Sequence, residues 1–254
     1  VGRIREVLGD IDDPGMEVEI AVRKYGVPHL FSDECLRLAK ALPATVQSAD
    51  WPGRVDLTDV SLVTIDGEDA RDFDDAICVR ADASGYTLYV SIADVSHYVQ
   101  PGSAVDQEAY RRGTSIYLPD RVLPMLPERL SNHLCSLVPG EDRPAFSAIL
   151  QFDQQGRRIA QRFVKSMIRS QMRFTYTTVE KLLYQEKPGP AEEYSSLLPM
   201  LRQARALTAL LKAQRLSRGS LEFNAPESEV QLEGGRVISI NRAVRNQAHM
   251  LIED

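Results

Sequence analysis

Ser61-Leu62-Val63-Thr64-Ile65-Asp66-Gly67-Glu68-Asp69-Ala70-Arg71-Asp72-Phe73-Asp74-Asp75-Ala76-Ile77-Cys78-Val79 is the stretch from which the fold is read. Two apolar runs, 61–65 and 76–79, read as strands and enclose a ten-residue segment holding six acids. Acids at that density belong on a solvated loop, where they repel weakly. Strands this close instead gather the carboxylates beside a sheet, where each raises its neighbours' pKa unless a cation neutralises them. Carboxylate oxygens are hard ligands, so Mg²⁺ or Mn²⁺ is the natural occupant.

The register tests other metal chemistries. An EF-hand starting at Asp66 needs Gly at its sixth position and Glu at its twelfth; Arg71 and Ile77 stand there. No Gly-x-x-x-x-Gly-Lys loop occurs for a nucleoside triphosphate. A strand ending in Asp66-x-Glu68 suits a proofreading-type nuclease with scattered acids. The whole stretch also suits phosphodiester cleavage with two ions about 3.5–4 Å apart. Alternation along the strand sends Asp74 and Asp75 to different sides, so not every acid can face one ion.

Outward from this segment, Tyr86, Leu88, Val90 and Ile92 alternate onto one face, and the turn at 83–85 makes a hairpin with 76–80. A second hairpin is expected from 145–152 and 158–168 across Asp153-Gln154-Gln155-Gly156. Helices are expected within 32–50, starting at the cap Ser32 and ending before Pro43, and over 105–112, 176–184 and 191–216, the last kinked or divided at Pro199. A short helix near 128–135 interrupts a proline-rich passage. Residues 221–223 read as extended, 229–232 and 236–240 as a hairpin, and a final helix is expected from Asn241. Residues 1–23 read as short strands with turns at Gly9-Asp10 and Asp12–Gly15.

The chain has 254 residues, 43% hydrophobic, with a net charge of −6. That supports one large core, or a main domain with an appendage, and argues against a uniformly basic surface. From Gly156 to Val179 no acid occurs among Arg157, Arg158, Arg162, Lys165, Arg169 and Arg173. This stripe either tracks phosphates or forms a solvated strand face. No apolar run approaches the roughly 20 residues of a membrane span. Cys35, Cys78 and Cys135 read as buried reduced thiols of a cytoplasmic protein, and the four histidines lack zinc spacing. Neither end carries a start or stop signal, so a fragment is expected.

The run from Val63 to Ala76 resembles the signature of the ribonuclease II / ribonuclease R family catalytic (RNB) domain. Arg54-Val55-Asp56-Leu57, Ile92–Val99, Arg112–Pro119, Pro124–Asn132 and Leu134–Leu137 match it as well, with a flavour closer to ribonuclease R. Residues 1–30 resemble the tail of a cold-shock OB domain, 31–53 a helical linker, and 54–254 the N-terminal part of the RNB domain. The resemblance implies an α+β fold: a mixed sheet with helices on one side, preceded by a remnant of a β-barrel. It implies a processive 3′→5′ exoribonuclease acting on the 3′ end of single-stranded RNA with Mg²⁺ or Mn²⁺ and releasing nucleoside 5′-monophosphates; a monomer is expected. Asp66, Asp72, Asp74 and Asp75 would be the catalytic quartet, with Asp66, Asp74 and Asp75 the metal ligands. Tyr117 and Phe223 would stack on bases, and Glu253 would meet a ribose hydroxyl. The family's catalytic arginine and S1 domain are expected beyond residue 254, which would leave the fragment alone a poor nuclease. The alternative is a non-catalytic module binding metal and RNA.

Overall fold

The apolar runs flanking the acids do form strands, and the hairpins read from alternation are present. The computed structural model describes residues 2–185, 192–221, 225 and 228–253. In chain order the elements are α1 (Met16–Lys24), α2 (Asp33–Ala41), β1 (Val55–Asp56), β2 (Val63–Asp66), β3 (Asp75–Asp82), β4 (Gly85–Ala93), α3 (Val95–Tyr98), α4 (Ala104–Arg112), β5 (Ile116–Tyr117) and β6 (Val122–Leu123). A π-helical segment (Arg129–Leu134) follows, then β7 (Asp142–Phe152), β8 (Arg158–Arg169), β9 (Met172–Thr175), α5 (Tyr176–Tyr184), α6 (Leu198–Ser217), β10 (Ser228–Glu233), β11 (Arg236–Arg242) and α7 (Gln247–Glu253). The fold is α+β. No helix among the described residues is long and apolar enough to cross a membrane.

The chain divides into two compact units. The first comprises Val1–Ala41, Val99–Glu128 and Asn224–Val244. Within it the Arg112 side chain is 3% exposed: its Nη1 donates to the Pro28 carbonyl at 2.9 Å and its guanidinium lies 3.7 Å from the Phe31 ring centroid. The strands expected over 1–23 are replaced by α1. Met16-Glu17-Val18-Glu19-Ile20 alternates like a strand. However, Glu17 and Glu19 in the first turn, and Arg23 and Lys24 in the last, complement the helix dipole. An Arg23–Glu19 ion pair one turn apart reinforces it.

The second unit comprises Leu42–Tyr98, Arg129–Phe223 and Arg245–Asp254. Its seven-stranded sheet runs β1-β8-β7-β4-β3-β2-β9. The β1–β8 and β2–β9 pairs are parallel and the other pairs antiparallel. Gly85 closes the β3–β4 hairpin: a Cβ there would stand 2.1 Å from the Phe152 carbonyl oxygen, at φ 142°. One face of β3 and β4 turns Ile77, Val79, Leu88 and Val90 towards Ala204 and Leu207 of α6 and Leu251 of α7 across a cavity. Ser91, Ser147 and Ser166 are fully buried and join hydroxyls across β4, β7 and β8 at 2.7 and 2.6 Å, which satisfies them without water. Arg54 and Asp94, their side chains each 5% exposed, pair at 2.7 Å.

Other departures are local. Pro199 opens α6 rather than kinking it, because the first turn needs no N–H from that position. The last helix begins at Gln247, after β11 has used Arg236–Arg242, and Asn246 Oδ1 caps it through the Ala248 and His249 amides. The basic stripe disperses. Arg169 pairs with Asp142 at 2.7 Å and Arg157 with Asp153 at 3.4 Å, while strand alternation sends Arg162 and Lys165 to opposite faces. All three cysteines are free and buried.

Candidate active site

β2 delivers Asp66 at its C-terminal end, where it pairs in parallel register with Thr175. The chain leaves the sheet for residues 67–74 and returns at Asp75, the first residue of β3, opposite Ile92 of β4. Two side chains from distant segments fix this excursion. Ser136 Oγ accepts from the Phe73 amide at 3.0 Å and donates to the Arg71 carbonyl at 2.9 Å. Arg173 Nη2 donates to the carbonyls of Gly67 and Glu68 at 2.5 and 2.7 Å. The Leu137 amide and the Ala93 amide close the loop's far end on the carbonyls of Phe73 and Asp74, both at 2.9 Å.

The resulting electrostatics are unfavourable in the absence of a cation. Asp66 is pushed up to about 6, first by burial and then by Asp75; Arg173 opposes this, and Asp72 and Asp74 add to it. Burial also raises Asp74, helped by Asp72 and Asp75, and burial raises Asp75. Asp66 Oδ2 is buried and has no hydrogen-bond partner. An unsatisfied hard oxygen among like charges fits a divalent cation. Among the described residues, however, no three His, Cys, Asp or Glu side chains converge closely enough to enclose an ion.

Asp75 and Glu253 line one cavity of about 260 Å³ between the sheet and helices α6 and α7. Tyr176, which opens α5, was not singled out from the sequence. Burial raises its hydroxyl pKa, and the charges of Asp66, Asp75 and Glu253 add to this, placing it in the same electrostatic neighbourhood. Its ring stacks on His249, with centroids 4.0 Å apart. Its sequence signal was its position, directly after the strand that flanks Asp66. Glu253 carries an ion pair with Arg245. The structure therefore places Asp66, Asp72, Asp74 and Asp75 within electrostatic reach of one another, and Asp75 and Glu253 on one cavity, within the second unit. Tyr117 is on β5 in the first unit, 70% exposed. Phe223 lies outside the described residues.

Comparison with known proteins gives the arrangement a context. Residues 54–254 match the RNB domain family, and residues 1–32 match a cold shock domain. Ribonuclease R of Thermotoga maritima is 44% identical over 99% of this chain and 36% of its own length. The structure of Mycoplasma genitalium RNase R in complex with ribose methylated single-stranded RNA superposes with a TM-score of 0.91. It is 35% identical over 98% of this chain and 39% of that one. Yeast Ssd1, described as a pseudonuclease, shares the fold with a TM-score of 0.67 at 20% identity, over 83% of this chain and 26% of its own. The chain thus spans a little over a third of the length of ribonuclease R from Thermotoga.

Proposed function

The chain belongs to the RNB domain family, and from that premise we propose that it forms the acid-bearing part of a metal-dependent 3′→5′ exoribonuclease. The substrate is single-stranded RNA, digested processively to nucleoside 5′-monophosphates. The observation that carries the reading is Asp66, whose buried Oδ2 lacks a partner while Asp72, Asp74 and Asp75 crowd it with negative charge. A structural carboxylate would be paired; this one is arranged for a cation.

Asp66, Asp74 and Asp75 would hold Mg²⁺ or Mn²⁺, with Asp72 in support. A divalent pair bound there supplies Lewis-acid polarisation of the scissile phosphate and water of lowered pKa. The chain's own groups do the rest. Glu253, beside Asp75 in the cavity, accepts a hydrogen bond from a ribose 2′-hydroxyl, which favours RNA over DNA. Tyr117 and Phe223 stack on bases without reading their edges, as a nuclease of any sequence requires. The protein acts as a cytoplasmic monomer.

The test uses the full-length protein with 3′-labelled RNA and Mg²⁺. Asp74→Asn is expected to bind RNA normally and to release label about 100-fold or more slowly. Equal release by both proteins would overturn the catalytic assignment. A second reading, a metal- and RNA-binding module without chemistry, draws on the fold shared with a pseudonuclease. It predicts binding by the parent protein with no label released.

A further inference from the structure

We propose that Arg173 is the positioning residue of the acid cluster, the group that fixes the path of the chain between Asp66 and Asp75. The inference rests on the nuclease reading above. It begins with strand pairing. β9 lies parallel to β2 with Arg173 opposite Thr64, two residues before Asp66. From that register the guanidinium reaches past the end of β2 to the Gly67 and Glu68 carbonyls. The same group lies 5.4 Å from the Phe73 ring centroid. One side chain thereby grips the loop just after Asp66 and again between Asp72 and Asp74.

The chemistry of the grip matters. The Nη2 hydrogens go to neutral carbonyl oxygens, and the positive charge acts on Asp66 through space, where it opposes the rise in pKa. A loop holding Glu68, Asp69, Asp72 and Asp74 tends to open by self-repulsion. A planar, rigid donor that also stacks on an aromatic ring resists that opening in a way a point charge does not. Lysine at this position would keep the charge and lose the grip. The two contributions can therefore be separated by one conservative substitution.

Arg173→Lys and Arg173→Met are compared with the parent in the full-length protein. Mn²⁺ affinity is read by electron paramagnetic resonance without RNA. Hydrogen exchange of the amides in 67–75 is read without metal, and kcat and KM are read on 3′-labelled RNA. Both variants are expected to bind Mn²⁺ about 10-fold more weakly and to lose about 10-fold or more in kcat, with little change in KM. Exchange should accelerate over 67–73 and stay unchanged in β3 and β4. Parent-like Mn²⁺ affinity and kcat in Arg173→Lys would show that charge suffices and would overturn the proposal. Faster exchange across the whole sheet would reduce Arg173 to a stability role and also overturn it. If Arg173→Met does not fold, the lysine variant decides alone. Asp74→Asn serves as the separate control on catalysis. Should it cleave like the parent, the catalytic assignment of Asp74 fails, and should the parent release no label, the nuclease reading fails; in either case the exchange data still decide what Arg173 does.

Discussion

Asp94 and Asp66 both sit at strand ends of one sheet, and the protein treats their charges in opposite ways. At Asp94 burial works against ionisation, but the Ser96 hydroxyl at 2.6 Å and Arg54 at 2.7 Å outweigh it, and its pKa is lowered. At Asp66 burial has no such answer, because Asp75, Asp72 and Asp74 add negative charge and Arg173 spends its Nη2 hydrogens on carbonyls. The first arrangement is complete within the polypeptide. The second leaves Asp66 Oδ2 buried without a hydrogen-bond partner in the polypeptide. Burial alone does not separate a structural acid from a functional one; the partner does.

The largest effect should come from breaking the complete pair. Arg54→Met leaves the Asp94 charge buried and unpaired, and should cost about 3–5 kcal/mol of stability, read by denaturant unfolding. A loss below about 1 kcal/mol would mean that Asp94 is not the settled charge described here.

The same operation on the incomplete site should have the opposite sign. With chelator present, Asp66→Asn should stabilise the fold by up to about 2 kcal/mol, since it removes a charge whose pKa is raised. Added Mg²⁺ should then stabilise the parent more than the variant. The pH dependence follows the same logic. Asp66 rises from 3.8 to about 6 on folding, so the folded state holds the extra proton between those values. Its contribution therefore improves as pH falls from about 7 towards 4. The Asp94 contribution is held above the usual carboxylate range and is lost only as pH drops through its lowered pKa. Thermal melts from pH 7.5 to 4 in chelator, parent against Asp66→Asn, should show the difference between the two proteins shrinking as pH falls, because the parent regains the Asp66 contribution. The smallest effect is expected at the exposed Arg169–Asp142 pair. Arg169→Ala should change stability by less than about 1 kcal/mol, a baseline for the other two.

Much of this was legible in the residues. Alternation in Tyr86–Ile92 and a turn at 83–85 were enough for the β3–β4 hairpin, although Tyr86, Leu88 and Val90 end half-buried, Ile92 is exposed, and the fully buried Ser91 and Ala93 lie on the other face. The acids were legible as a cluster because like charges beside strands need an explanation. What stayed hidden came from distance in sequence. Met172-Arg173-Phe174-Thr175 is too short for a pattern, so neither β9 nor the grip of Arg173 could be read; the arginine looked like one more member of a basic stripe. Ser136 lies in the stretch Leu134–Leu137 that resembles the family, but its role shows only when its hydroxyl is seen between Phe73 and Arg71. The α1 helix was obscured because Met16–Ile20 satisfies the strand period while its end charges satisfy the helix. Phe223 lies outside the described residues and stays an expectation.

The parallel pairing of β2 with β9 joins Gly67 to an arginine 106 residues further on. Contacts that far apart form late, since a long loop must close first. During synthesis a nascent chain emerging only as far as Ser170 already displays all four aspartates, yet has neither the flanking strand nor the guanidinium that shapes them. A chain built this way completes the surroundings of its acids only once its own sheet has closed.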